Sequence, residues 1–185
     1  RRAGAPLSYS QGFHAHPKVT FATASPVGEE SLCDFMDVVL RERVDGEVLK
    51  ERLVAVAPPE FRVFAVGEVP LNAPAVMAQL AGFLYAITGP GDPAAVRGQA
   101  HAVLTAPSIP VERPAKEKGD RPRTVDVRPN IARIDVKDSP PGRVELEVEL
   151  HVLDGRGIRM RELLDLLGLD PMQTRFLKRE TFLRS

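Results

Sequence analysis

The sequence has few of the residues on which several classes of protein depend. Of its 185 residues one is cysteine, Cys33, and none is tryptophan. One cysteine closes no internal disulfide, which suits a reducing cytoplasm, and the chain alone lacks the three cysteines that normally hold a radical-enzyme iron–sulfur cluster. No apolar run reaches the roughly 18 residues of a membrane helix, and no stretch resembles a signal peptide. We therefore expect a cytoplasmic globular protein.

The chain also has no net charge, since 25 basic residues balance 25 acidic ones. The charges are unevenly spread: residues 28–72 carry ten acids and five bases, residues 156–185 carry seven bases and four acids, and residues 1–27 carry three bases and no acid. This balance argues against a chain that coats nucleic acid without specificity, but it leaves room for a local basic surface.

Apolar periodicity and turn residues predict strands and helices in two successive groups. The first group has strands near residues 18–22, 34–43 and 61–66 and a helix over 46–56; prolines between Pro70 and Pro74 mark the boundary. The second has strands near 83–87, 109–111, 124–128, 131–136, 143–153 and 174–183, and helices after Asp92 and over 159–167. This order predicts an α+β fold of two ferredoxin-like (split βαβ) halves, 1–72 and 73–185, each with helices against one face of an antiparallel sheet.

Between two of these strands, residues 112–123 are charged, broken by proline and almost free of apolar anchors, which predicts a mobile basic loop. Its cations are candidate phosphate contacts. The block we expect to bind a nucleic-acid backbone comprises Lys116, Lys118, Arg121 and Arg123, together with Arg113 at the start of the loop. Further bases on the last predicted strand, Arg175, Lys178, Arg179 and Arg184, could extend this rim.

The most unusual stretch is Tyr9–Pro17, which places an aromatic ring, a hydroxyl, an amide, a glycine and two histidines in nine residues. On an extended strand His14 and His16 would point to one face about 7 Å apart. Three interpretations stay open: a metal or general-base pair, contacts to an RNA base, or anchoring of the loop to backbone carbonyls. The candidate binding residues here are Tyr9, Ser10, Gln11, His14 and His16.

A second unusual stretch is Thr124–Arg128, in which Asp126 and Arg128 alternate with two valines. If the valines of this strand point towards the core, the side chains of Asp126 and Arg128 lie on its solvent-exposed face and can form an ion pair. An aspartate held ionised by an arginine suits a nucleophile, and equally a structural ion pair that orders the end of the loop. The run Asp126-Val-Arg resembles the archaeal and eukaryotic pseudouridine synthases, whose nucleophile is an aspartate on a ferredoxin-like core, and this resemblance implies a catalytic Asp126.

Several motifs together resemble a bacterial family of uncharacterised, radical-SAM-linked proteins, which occur fused to or encoded beside a radical SAM enzyme. They are the Tyr9–Lys18 run, Pro26–Ser31, Asp37–Leu40, Val69–Leu71 and Thr124–Pro129, and the resemblance covers essentially the whole chain. Ala15 stands where the family usually has proline, and the family's earlier strand and helix would precede Arg1, which we expect to lie at the last turn of a helix.

The resemblance implies a radical SAM protein as partner, with the iron–sulfur cluster and S-adenosylmethionine in that partner and no cofactor in this chain. Because such proteins are often encoded near RNA-processing genes, it also implies RNA. We expect an accessory or substrate-binding domain in RNA modification, with the Tyr9–Pro17 stretch, Asp126, Arg128 and the basic loop around one cleft. The alternatives are an RNA-modifying enzyme of pseudouridine-synthase type and a protein-binding scaffold without nucleic acid.

Overall fold

The computed structural model describes residues 2–114 and 121–184, which fall into two compact units. The first unit comprises residues 1–22 and 35–78 and the second comprises 23–34 and 79–185. The segment Thr23–Asp34 thus belongs to the second unit although the first unit flanks it in sequence. Both units contain helices and strands, and most of the strand pairs are antiparallel. The predicted α+β class is therefore confirmed.

The first unit contains a small antiparallel pair of strands, β1 (Val19–Phe21) and β3 (Met36–Val38), and the helix α1 (Gly46–Val54). The Asp45 side chain caps α1 by accepting hydrogen bonds from the amides of Glu47 and Val48. The strand predicted over residues 61–66 is wrong. This stretch is irregular, and Phe61 and Phe64 are 72% and 62% exposed, because apolar residues form a strand only where a neighbouring strand pairs with them.

The second unit is built on a five-stranded sheet with the order β2-β9-β4-β8-β7. The three-residue edge strand β2 (Glu29–Ser31) runs parallel to its neighbour, and the remaining pairs are antiparallel. The others are β4 (Leu80–Pro90), β7 (Ile131–Val136), β8 (Arg143–His151) and β9 (Arg175–Leu183). A separate hairpin pairs β5 (Pro110–Arg113) with β6 (Arg123–Asp126), so both ends of the predicted loop 112–123 are strand.

One face of the sheet is apolar and covered by helices. The predicted alternation of β8 is confirmed: Val144, Leu146, Val148 and Leu150 are buried and the intervening glutamates are half-buried. Two helices complete this core, α2 (Pro93–Thr105), whose amide at Ala94 is capped by Asp92, and α3 (Met160–Leu166). Their buried residues are Val96, Ala100, Val103, Leu163 and Leu164.

Lys178 lies on this covered face of β9 and is fully buried, so it is absent from the basic rim proposed from sequence. Its ammonium Nζ lies 2.5 Å from Glu29 Oε1 and 3.0 Å from Asp34 Oδ1. Burial alone would lower the pKa of Lys178, but the hydrogen bonds and charges of these two carboxylates outweigh it and raise the pKa. Lys178 therefore stays charged and fixes the segment Thr23–Asp34 to the sheet.

A second buried ion pair fixes the hairpin to α3. The guanidinium of Arg113 donates two hydrogen bonds to the Glu162 carboxylate, at 2.8 and 2.7 Å, and a third to the Gly157 carbonyl. Arg113 is 5% exposed. The residue that sequence placed at the start of the phosphate rim is thus fully engaged inside the protein.

We expect Lys178→Met to lower the free energy of unfolding by about 3 kcal/mol, because it leaves the buried Glu29 carboxylate without a counter-charge. Urea denaturation followed by circular dichroism measures the loss. Adding Glu29→Gln to Lys178→Met should recover part of it, whereas Asp34→Asn alone, at a half-exposed position, should cost little. A wild-type midpoint for Lys178→Met would show that this ion pair does not hold β2.

We expect the Arg113–Glu162 pair to make the free energy of unfolding depend on pH in the acidic range. Burial pushes the pKa of Glu162 up, but the hydrogen bonds from Arg113 and from the Arg159 amide more than offset it, so the pKa is lowered overall. A carboxyl with a lowered folded-state pKa stabilises the protein above its unfolded pKa of about 4.3, and this contribution is lost as pH falls through the folded value.

Urea denaturation at pH values from neutral to about 3 tests this expectation. The free energy of unfolding should fall less steeply below about pH 5 in Glu162→Gln than in the wild type. Glu180→Gln, at an exposed position on β9, is the control and should keep the wild-type slope. Equal slopes for all three proteins would contradict a role for Glu162.

Candidate functional sites

The Tyr9–Pro17 stretch forms a closed loop in the first unit. Tyr9 and Pro17 face each other in an antiparallel bridge, and the Ser10 amide donates to the His16 carbonyl at 2.8 Å. The Ser10 hydroxyl accepts a further hydrogen bond from the His16 amide at 3.0 Å. Gly12, with φ of 120°, allows a turn that side-chain-bearing residues rarely adopt. Ser10 thus closes the loop, and the residues between Ser10 and His16 are exposed to solvent.

The displayed residues of this loop are in contact with solvent. Gln11, His14 and His16 are exposed, and Phe13 has an exposure of 106%, the value of a ring that nothing covers. Residues 11–14 bend, so the two histidines do not alternate along a strand as expected. Among the described residues, no three His, Cys, Asp or Glu side chains come together in a metal-binding group.

Phe13 is the residue that sequence reasoning missed at this loop. The sequence pattern includes its ring only in the composition of the motif and assigns binding to Tyr9, Ser10, Gln11, His14 and His16. An aromatic residue directly after a glycine in an otherwise polar run is the feature that could have identified it, because such a run offers no apolar partners in sequence.

Asp126 ends strand β6 in the second unit and orders the backbone around it. Its Oδ1 accepts hydrogen bonds from the amides of Ile109 at 2.8 Å and Arg128 at 3.0 Å. These two bonds, in that order, are the main reasons why the pKa of the exposed Asp126 carboxyl lies below its usual value. The carboxylate is therefore ionised near neutral pH and joins the ends of two chain segments.

The predicted ion pair between Asp126 and the Arg128 side chain is not what holds either residue. Arg128 begins a 3-10 helix (Arg128–Asn130), so the strand alternation stops at the buried Val127. Its guanidinium donates instead to the carbonyls of Ile131 at 2.6 Å and Leu104 at 2.7 Å. Arg128 is a half-buried residue that fastens the end of α2 to the start of β7.

Asp126 also lines a depression of about 310 Å³ on the second unit. Asn130 lies at its base and donates to the carbonyls of His151 and Arg156, both at 3.0 Å. The depression offers one carboxylate and the side chain of Arg156 in a lining of mixed polar and apolar residues. Its lining residues are Thr124, Val125, Asp126, Pro129, Asn130, Leu153 and Arg156.

The remaining predicted contacts are distributed as follows. Arg121 and Arg123 are exposed, and Arg123 begins β6. Lys116 and Lys118 lie outside the described residues, as does half of the predicted mobile loop, residues 115–120. The Tyr9–Pro17 loop belongs to the first unit and Asp126 and Arg128 to the second, so the common cleft stays a prediction.

We expect Asp126→Ala to lower the melting temperature by a few degrees, because two backbone amides lose their acceptor. Asp126→Asn keeps an acceptor oxygen and should lose less. Thermal denaturation at neutral pH compares the two, with Asp138→Ala, an exposed aspartate of the β7–β8 turn, as control. If Asp126→Ala melts like the wild type, the carboxylate does not order this turn.

Comparison with known proteins identifies a family without a described activity. None of the helices in the described residues is long and apolar enough to cross a membrane. No curated protein and no solved structure matches the chain. Residues 1–161 match the family described as "Uncharacterized protein conserved in bacteria (DUF2344)". The chain, matched over most of its length, belongs to this bacterial family of uncharacterized proteins.

Proposed function

We propose that this chain is an RNA-binding accessory domain that works with a radical SAM enzyme in RNA modification. The observation that carries the proposal is the uncovered ring of Phe13 on a hydrogen-bonded loop. Unpaired RNA bases stack on exposed aromatic rings, and the hydrogen bonds that close this loop leave the ring of Phe13 open to such stacking.

The neighbours of Phe13 offer the polar contacts that a stacked base needs. The Gln11 amide can donate and accept at a base edge, and the exposed imidazole of His14 can stack or donate. The hydrogen bonds between Ser10 and His16 fix the loop before binding, which lowers the entropy cost of forming the complex. Residues 1–27 carry no acid, so no carboxylate of this segment repels a phosphate.

The partner and the setting of the proposal come from the resemblance to radical-SAM-linked proteins. The iron–sulfur cluster and S-adenosylmethionine would belong to that enzyme, and this chain would hold the RNA in the cytoplasm. The common cleft and the two ferredoxin-like halves are part of the same proposal.

A second candidate is an enzyme of pseudouridine-synthase type with Asp126 as nucleophile. It is favoured by an ionised carboxylate at the edge of a depression. The two amides bound to Oδ1 count against it, because they explain the ionised state by a structural role. Under this alternative, Asp126→Asn would abolish turnover while leaving RNA binding intact.

Phe13→Ala should weaken binding of the full-length protein to a fluorescein-labelled single-stranded RNA by about tenfold, since one stacked base contributes about 1–3 kcal/mol. Fluorescence anisotropy at low and at moderate salt measures the dissociation constant, which should rise with salt. Phe61→Ala, at a 72% exposed position of the same unit, is the matched control and should bind like the wild type.

Equal losses in Phe13→Ala and Phe61→Ala would remove the stacking role of the loop. Absence of binding at low salt would contradict the RNA proposal altogether. If affinity capture from cells then recovered a protein partner and no nucleic acid, the scaffold alternative would replace it.

A further inference from the structure

A second depression, of about 430 Å³, lies at one end of the five-stranded sheet and belongs to neither site described above. It is formed by the end of β4, the turn between β7 and β8 and the segment that enters β9. The residues that matter for its chemistry are Gly89, Pro90, Gly142, Arg143, Gln173 and Arg175.

Strand register places both arginines on the open face of the sheet. Arg143 of β8 lies opposite Pro90, and Arg175 of β9 lies opposite Thr88, on the two sides of β4. Thr88 and Pro90 share the face that the buried Ile87 does not occupy. The two arginine backbones are separated by two strand spacings across the sheet and by two residues along it, about 12 Å in all, which two long side chains can span to meet at one ligand.

The lining of this depression contains cations and amides but no carboxylate. Arg143 Nε lies 2.9 Å from Glu145 Oε1, which leaves the terminal nitrogens of this guanidinium available. Arg175 is exposed, and no described residue forms an ion pair with it. Gln173 donates its Nε2 to Asp170 Oδ2 at 2.7 Å, so Glu145 and Asp170 lie beside the two arginines. The donors that remain at the depression are those of Arg175 and the terminal nitrogens of Arg143.

The backbone around these arginines is fixed and close-packed. The Gly91 amide donates to the Gly142 carbonyl at 3.1 Å, which joins the two loops. A Cβ at Gly89 would lie 2.8 Å from Thr174 Oγ1, so only glycine fits there. Thr174 is 6% exposed and lies against Gly89, and its hydroxyl has no hydrogen-bond partner among the described residues.

We propose that this depression binds a phosphate group, carried by a nucleotide or by an RNA strand. Guanidinium groups match the geometry of phosphate oxygens, and this depression is lined by two of them on the open face of the sheet. With RNA as the source, the inference rests on the proposed function; with a free nucleotide it does not.

Isothermal titration of the full-length protein with inorganic phosphate and with adenosine monophosphate tests the site directly. The double variant Arg143→Gln/Arg175→Gln should lose at least about tenfold in affinity, and each single variant should lose less. Arg161→Gln, at an exposed position of α3, is the matched control and should bind like the wild type. Both arginines are exposed, so the melting temperature of the double variant should stay unchanged.

Wild-type phosphate affinity in the double variant, or an equal loss in Arg161→Gln, would overturn the proposal. RNA oligonucleotides with a 5′-phosphate and a 5′-hydroxyl identify the source. A preference for the phosphorylated strand that the double variant loses supports a terminal phosphate, and an equal loss for both strands supports a backbone phosphate.

The two hypotheses fail in different ways. Phosphate binding that depends on the two arginines, with no effect of Phe13→Ala on RNA, would support this site and contradict the proposed function. RNA binding that depends on Phe13 but not on the two arginines, with no measurable phosphate affinity, would overturn this site and leave the loop's role intact.

Discussion

Burial of one face of the five-stranded sheet is the constraint on which the second unit depends. A charged side chain on that face needs an oppositely charged partner, because transferring an unpaired charge from water into the core costs several kcal/mol. Lys178 meets this requirement with Glu29 and Asp34, which belong to a segment from a distant part of the sequence. Burial, followed by the charge of Glu29, also raises the pKa of the neighbouring Tyr85, so its hydroxyl stays protonated and lies 3.4 Å from the Glu29 carboxylate. The edge strand β2 is therefore fixed by electrostatics as much as by its three residues of pairing.

The same constraint sorts the basic residues into structural and available ones. Arg113 and Lys178 are basic in sequence but satisfied inside the protein, and they add nothing to a surface potential that a ligand would meet. Arg143 and Arg175 stand on the open face and keep donors free. Counting cations along the chain therefore adds to the basic surface two residues that the structure buries, whereas Arg175 of the same predicted rim is exposed. Which face a strand buries decides whether its lysines and arginines can bind an anion.

Sequence patterns predict those features of the structure that depend only on residues close together in the chain. The alternation of β8 and the Asp92 cap followed by Pro93 were predicted because strand period and helix capping involve neighbouring residues. Pairing between distant segments was not: β2 was missed, and residues 61–66 were wrongly assigned to a strand. Lys178 has the same parity as the partly buried Phe176, which is the feature that could have identified it as buried. Lys178 pairs with Tyr85, and Glu180 pairs with Leu84, so β9 has one extra residue between these two pairs. After this bulge the alternation of buried and exposed residues along β9 is shifted by one position.

At the Tyr9–Pro17 loop the composition of the motif predicts a binding loop but does not single out its most exposed side chain, Phe13. Two histidines drew attention because of their chemistry, whereas Phe13 became visible only through its exposure, a property set by what fails to pack against it. Asp126 shows the converse. An aspartate beside an arginine suggested a paired nucleophile, but the 3-10 turn directs Arg128 to carbonyls and leaves the carboxylate to two amides. Backbone amides that are left unpaired at the end of a strand compete with a ligand for the side chain of a polar residue at that end. At Asp126 two amides use Oδ1, so only Oδ2 is left to bind a substrate.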